Sequence, residues 1–471
     1  MRTVKTRGII RALALLGLAA LALALSAGAL PAAAGEATRY IVKYREDFAW
    51  LLDRESAMPF GLVDAGELEL LLRADALEWC EEDAPAVLLD ELPAGEELSP
   101  YYEPEKWDLA MIGADLAYQM NCTGRGVRVG VIDSGVAAHS DLAGRLKAGW
   151  NFQDKSSAAG DSLGHGTFVA GLVAGFSDLN GMIGSAPGAD IVPLKITNSN
   201  GFSASDIIPA IYEGIDRFHC QVLNLSLGTE SDLESLREAA AYAEEHGVTL
   251  VAAAGNSGND TLYYPAAYDT VIGVGAVTKR ETVYDRSSRH AGVFLTAPGA
   301  EVRSLRHLGG YRDGTGTSFA TPLVSGAAAV LLGMDGDLSP AQLRDILAQS
   351  AADQGEPGYD TAYGYGILQV GGSIDALFAG GSCYIADERG GSTRIFNRTG
   401  EEMDCFCLLA EYSEDGALLG LRQETLHIRP YDSASVEAPE QPGIFARFLC
   451  DAETWNPLAG ERKTEIRKTE D

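Results

Sequence analysis

The sequence predicts an α/β protein built on a doubly wound parallel sheet, preceded by a small α+β module and followed by a small all-β sandwich. Two observations carry the central part. From residue 127 onward, apolar runs of strand length ("VRVGVID", "DIVPLKI", "QVLNLSLG", "VTLVAAAGN", "TVIGVGAV") alternate with helix-like runs ("GTFVAGLVAG", "SDIIPAIYEGIDRF", "SDLESLREAAAYAEEHG"). Strands apolar on both faces that alternate with helices form a parallel sheet covered on each side, and such sheets bind ligands beyond the C-terminal ends of their strands. The third observation is a change of period after residue 376, where "STRIFNRTG", "CFCLLAEYSEDGALLGLRQETLHIRP", "SASVEAP" and "GIFARFLCD" alternate in steps of two with turn signals between them.

Taken in order, residues 1–34 carry Arg2, Lys5, Arg7 and Arg11 ahead of the apolar run "ALALLGLAALALAL" and small residues up to Ala34. This is the pattern of a secretory signal peptide, and the run is shorter than the roughly 20 residues that span a bilayer, so no transmembrane anchor is expected after its removal. Residues 35–100 open with the alternating strand "RYIVKY" and close with "ALEWCEEDAPAVLLDELP" and a link rich in Pro, Gly and Glu. The main body, 101–376, ends after "LSPAQLRDILAQSA", a helix announced by Ser339 with Pro340 at its first position. Residues 377–471 are the predicted sandwich.

Composition narrows the function. The 471 residues are 46% hydrophobic, enough for a large core, and the formal net charge is −31. Nucleic acids and anionic membranes reward Lys and Arg, so neither is an expected partner. Export permits disulfides, but seven cysteines is an odd number; a bridge from Cys405 or Cys407 to Cys450 and unpaired thiols are equally consistent with the spacing.

Three residues at strand ends or helix starts have the types an acyl-transfer triad needs. Asp133 ends "VGVID", His165 opens "GHGTFVAG", and Ser318 opens "GTSFATP". Such a triad requires a hydroxyl nucleophile, an imidazole to take and return its proton, and a carboxylate to hold the imidazole tautomer. Singly, Asp133 reads equally as a turn residue, His165 as a polar helix start and Ser318 as a helix cap; it is their joint placement at strand C-terminal edges that selects chemistry.

The chain order Asp, His, Ser, with "VGVIDSGVAAHSDL", "GHGTFVAGLVAG", "SAPGADIVPLKI", "NLSLG", "AAAGNSG" and "GTSFATP" in sequence, resembles the subtilisin-like serine peptidases over residues 105 to 376. The resemblance implies that Asp133 orients His165, that His165 is general base and acid, and that Ser318 is the nucleophile. It implies an oxyanion-hole role for Asn256. Ser226, Leu227 and Gly228 would lend backbone to an extended polypeptide substrate, and a side-chain pocket would lie near Gly255, Ser257 and Tyr263. The residue after Ser318 is Phe319 where Met is commoner in the family.

No cofactor is required for such chemistry, although the family leaves room for a structural calcium, with Asp141 and Asp178 as the oxygen ligands this chain offers. Residues 35–100 resemble the family's propeptide, which implies an intramolecular inhibitor removed by self-cleavage, here near residues 95 to 105. The C-terminal module resembles sandwiches appended to secreted proteins of Gram-positive bacteria, and either binds a surface or stabilises the catalytic domain. The expected protein is thus a secreted, extracellular serine endopeptidase made as a zymogen; the competing reading is a secreted surface-binding protein with a vestigial peptidase domain.

Overall fold

In a computed structural model, the chain divides into two compact units, Met1–Asp83 and Ala84–Asp471. The structure describes residues 38–52, 58–89, 106–176 and 181–378, and the strands with some of their turns between 383 and 466. The leader, the 95–105 window, Asp178 and the Cys450 side chain lie outside the described residues.

The first unit has the expected α+β form. Strand β1 (Arg39–Tyr44) is flanked antiparallel by β2 (Phe60–Asp64) and β3 (Leu77–Glu82). A helix, Ala65–Arg73, follows β2 directly because Asp64 and Glu67 form a reciprocal capping box: the Asp64 carboxylate accepts from the Glu67 N–H at 2.8 Å and the Glu67 carboxylate from the Asp64 N–H at 3.0 Å. Val42, Val63, Leu71 and Ala76 pack as its core.

The second unit begins with β4 (Pro85–Leu88). The strands β5 (Arg128–Asp133), β6 (Trp150–Asn151), β7 (Asp190–Lys195), β8 (Gly201–Ser203), β9 (Val222–Leu225), β10 (Leu227–Gly228), β11 (Thr249–Ala253), β12 (Ile272–Val277) and β13 (Leu295–Pro298) follow. Seven of them form one sheet in the order β13-β12-β11-β9-β5-β7-β6, every neighbouring pair parallel. The chain leaves β5 towards β7 on one side and returns to β9 on the other, so the winding reverses beside β5. That switch point opens a crevice at the C-terminal ends of β5 and β9, where the predicted chemistry should lie.

The Thr317–Met334 helix is apolar enough by composition to cross a membrane, yet nearly all of its residues are buried in the protein core. Its close seating depends on glycine: a Cβ at Gly326 would stand 1.9 Å from Ser185 Oγ. The helix announced by Ser339 is observed as Pro340–Ser350, with the Ser339 hydroxyl accepting from the Gln342 N–H at 3.3 Å.

A two-stranded ribbon, β14 (Val302–Leu305) with β15 (Tyr311–Gly314), precedes the C-terminal module. That module has two sheets: β16 (Cys383–Asp387), β17 (Thr393–Asn397) and β20 (Ser433–Val436) in the order β16-β17-β20, and β18 (Met403–Tyr412), β19 (Leu418–Ile428), β21 (Gly443–Asp451) and β22 (Arg462–Ile466) in the order β19-β18-β21-β22. Cys383, Ile395, Cys405, Cys407, Leu409, Ile428 and Val436 pack between the sheets, as a sandwich requires. The neighbour of Ile395 along β17, Phe396, is fully buried in the large core of the parallel-sheet domain.

Candidate active site

Asp133 is the last residue of β5 and is fully buried. The His165–Ala174 helix starts at the crevice because Gly164, at φ +93°, turns the chain into it. Gly166 then lets the helix meet the strand end: a Cβ there would lie 2.1 Å from the Gly135 carbonyl oxygen and 3.1 Å from Asp133 Cβ. The two glycines of "GHG" are therefore what allow His165 to reach Asp133. His165 Nδ1 lies 2.7 and 2.8 Å from the two carboxylate oxygens of Asp133. Facing a carboxylate, Nδ1 carries the proton, which leaves Nε2 as the basic nitrogen.

A second carboxylate holds this pair in register. Asp161 accepts hydrogen bonds from the N–H groups of Leu163 (2.9 Å), Gly164 (2.8 Å) and Thr167 (2.9 Å), from the Thr167 hydroxyl (2.6 Å) and from the Ser134 hydroxyl (2.9 Å). It satisfies free donors at the start of the His165 helix and ties that start to the residue after Asp133. The Ser134 hydroxyl oxygen accepts from the Gly166 N–H at 3.0 Å, closing the loop of contacts. Asp161 was not singled out from sequence, although an Asp a few residues ahead of a helix start is a capping signal that could have found it.

Ser318 sits at the second position of the Thr317–Met334 helix, where backbone N–H groups have no i−4 partner within the helix and the helix dipole favours negative charge. The ring of the next residue, Phe319, packs beside the His165 imidazole with centroids 5.6 Å apart. Asn256, just after β11, is oriented by its own amide: Oδ1 accepts the Thr317 N–H at 3.0 Å, which turns Nδ2 towards the cleft.

What Nδ2 meets there is the carbonyl oxygen of Leu89. Asn256 Nδ2 donates to it at 2.6 Å and the Ser318 N–H at 3.2 Å, and the Ser318 hydroxyl contacts the same oxygen. The Ser318 hydroxyl also lies 2.9 Å from the Ser226 carbonyl oxygen. The segment leading to Leu89 is strand β4, inserted antiparallel between β10 and β8, with Leu88 opposite Leu227, Val87 opposite Gly228 and Ala86 opposite Phe202. The Leu89 N–H donates to the Ser226 carbonyl at 3.3 Å. Ser226, Leu227 and Gly228 thus form a strand edge, as expected, while the opposing edge at β8 was missed. Its sequence, "GFS", is too short to carry a pattern. Gly255 lies beneath the Tyr263 ring at one side of the same cleft.

An extended segment with its carbonyl held by a helix-start N–H and a carboxamide, beside a buried His–Asp pair, is the arrangement of a serine peptidase with a peptide bound. A family model described as the subtilase family matches residues 124–366. The chain belongs to the subtilase family. Among its relatives, Subtilisin DY of Bacillus licheniformis is 37% identical over 56% of this chain and 96% of the relative. An alkaline protease of Alkalihalobacillus alcalophilus is 32% identical over 65% of this chain and 75% of its own. The minor extracellular protease Epr of Bacillus subtilis is 35% identical over 56% of this chain and 41% of its own length. The chain is accordingly a subtilase serine endopeptidase, a hydrolase acting on polypeptides, as its motifs implied.

Of the two carboxylates considered for a structural calcium, Asp141 is the one among the described residues. It is buried and engaged by protein donors: Oδ2 accepts the Tyr311 hydroxyl at 2.8 Å and the Met182 N–H at 3.0 Å, and Oδ1 the Ser140 hydroxyl at 3.0 Å. A cation is nevertheless present. The Lys106 ammonium, nearly buried, donates to the Ile183 carbonyl at 2.5 Å and lies 3.9 Å from Asp108 Oδ2. Burial lowers its pKa, and the negative charges of Asp108 and Asp141 oppose that shift. Among the described residues no cluster of three or more His, Cys, Asp or Glu side chains could hold a metal.

Proposed function

We propose that this subtilase is a secreted proenzyme that cleaves itself between Leu89 and Asp90 and then hydrolyses other proteins through Asp133, His165 and Ser318. The observation that carries the proposal is the Leu89 carbonyl, held by Asn256 Nδ2 at 2.6 Å and the Ser318 N–H at 3.2 Å, the two donors an oxyanion hole needs. Ser318 Oγ attacks the Leu89 carbonyl carbon while His165 Nε2 takes its proton, and Asp133 stabilises the resulting imidazolium. Collapse of the tetrahedral intermediate breaks the bond to the Asp90 nitrogen, which leaves with the proton from His165. Water, deprotonated by His165, then releases Leu89 as a carboxylate and restores Ser318.

Residues 35–89 act before that as an intramolecular inhibitor, because β4 fills the strand position a substrate would take. The occupant of the cleft thus favours a cut upstream of the 95–105 window suggested by sequence. Secretion is supported by the leader pattern and by a relative named as extracellular. The C-terminal sandwich braces the catalytic domain through Phe396.

The test is purification of the precursor from which only the leader has been removed. The wild-type protein is expected to convert to a product whose first residue is Asp90, and Ser318→Ala to remain whole. Conversion of purified Ser318→Ala at the wild-type rate would sink the proposal, and a first residue between 95 and 105 would sink the assignment of the bond.

A further inference from the structure

Leu89 also fills a slot with its side chain. It is 4% exposed and packs with Ala253 and Tyr263 in a cluster of their own. One wall is backbone: a Cβ at Gly228 would come within 3.3 Å of Leu89 Cδ1. The Tyr263 ring also lines the slot, pressed so closely on Gly255 that a Cβ there would stand 2.2 Å from Tyr263 Cδ2 and 2.6 Å from Cε2. The ring has no room to retreat across Gly255. Its far end is tethered as well, since the phenol donates to Glu230 Oε1 at 3.1 Å. Burial and the neighbouring Glu230 charge both raise the Tyr263 pKa, so the phenol stays a neutral donor.

We propose that Glu230 pins Tyr263 as a fixed wall, and that the slot so formed selects leucine, or an aliphatic residue of its size, immediately before the scissile bond. This rests on the reading of Leu89 as the residue whose carbonyl is attacked. An aromatic side chain would enter only by displacing the Tyr263 ring and breaking its bond to Glu230. A long charged side chain would have to lose its hydration against Ala253 and the ring. Three residues upstream, Ala86 is 1% exposed, whereas Val87 between them is 43% exposed. The preferred polypeptide therefore carries a small residue, an unrestricted one, and leucine at the fourth, third and first positions before the cut. Glu230 acts as a positioning residue and Tyr263 as the specificity determinant.

The experiment uses the matured enzyme, with active sites counted by a fluorophosphonate, and the peptides succinyl-Ala-Val-Leu-X-p-nitroanilide with X as Leu, Phe or Lys. The Leu peptide is expected to exceed the Phe peptide in kcat/KM by roughly tenfold or more, the order that a mismatch of a few methylenes produces in a tight pocket. Tyr263→Gly is expected to reverse that ratio. Glu230→Ala should lower it, and Glu230→Gln, which keeps the acceptor, should preserve it. The ratio does not depend on how much variant folds. Equal rates for Leu and Phe in the wild type, or an unchanged ratio in Tyr263→Gly, would overturn the inference. Absence of fluorophosphonate labelling in the wild type would instead overturn the catalytic reading on which it rests.

Discussion

Replacing Asn256 by Asp separates its two jobs. The substitution keeps an acceptor for the Thr317 N–H, now 3.0 Å from Oδ1, but removes the Nδ2 donor that lies 2.6 Å from the Leu89 carbonyl. Of the two N–H donors on this oxygen the side chain's is the shorter, the Ser318 N–H being at 3.2 Å, so its loss should weigh on the transition state. Loss of one donor of this kind costs about 2.7–4 kcal/mol of transition-state stabilisation, or about 10²–10³ in kcat. Because the charge develops only as the carbonyl is attacked, KM should change little. The assay is twofold: conversion of the purified precursor followed by intact mass, and kcat on a leucine peptide with active sites titrated. Both rates should fall together by the stated factor. A decrease below about fivefold, or a rise in KM with kcat unchanged, would refute the assignment of Asn256 to the oxyanion.

Other consequences follow from the same contacts. Asp161→Ala removes a partly buried acceptor from five donors and should lower both kcat and stability, by about 2 kcal/mol or more in urea unfolding, since each stranded donor that is buried costs roughly 1–3 kcal/mol. Lys106→Met, which leaves Asp108 buried beside no ammonium, should lower the melting temperature of the matured enzyme by several degrees in calorimetry. His290, buried behind the Asn256 turn, donates from Nε2 to the Ala254 carbonyl at 2.8 Å and accepts the Gly292 N–H on Nδ1 at 3.0 Å, which requires the neutral ring. Burial lowers its pKa from 6.5, so between that value and the lower folded-state pKa the unfolded chain binds the extra proton. Its contribution to stability is complete above pH 6.5 and is lost as pH falls; a melting temperature that falls no more steeply below pH 6.5 in the wild type than in His290→Gln would contradict this.

The parallel sheet was legible because its strands are apolar on both faces, and the sandwich because its strands alternate. Asp133, His165 and Ser318 were legible as chemical types at strand ends and helix starts, and the structure brings the first two into hydrogen-bonding contact and sets the third against a peptide carbonyl. Strand β4 was not. "PAVL" is short, it lies within what reads as the end of an acidic module, and its pairing is dictated by two cleft edges more than 100 residues away in sequence. The engagement of Asp141 was hidden for the same reason. Asp141 looks like an oxygen ligand until Tyr311, 170 positions later, is seen donating to it. Local pattern reveals which residues are able to act; only the tertiary arrangement shows which of them are already engaged.

The most direct test of the central claim is to treat the matured wild-type protein with a fluorophosphonate and locate the adduct by tandem mass spectrometry. One adduct per chain, on Ser318 and absent after Ser318→Ala, together with loss of casein hydrolysis, is the predicted result. An unmodified Ser318 in a protein that still digests casein would contradict it.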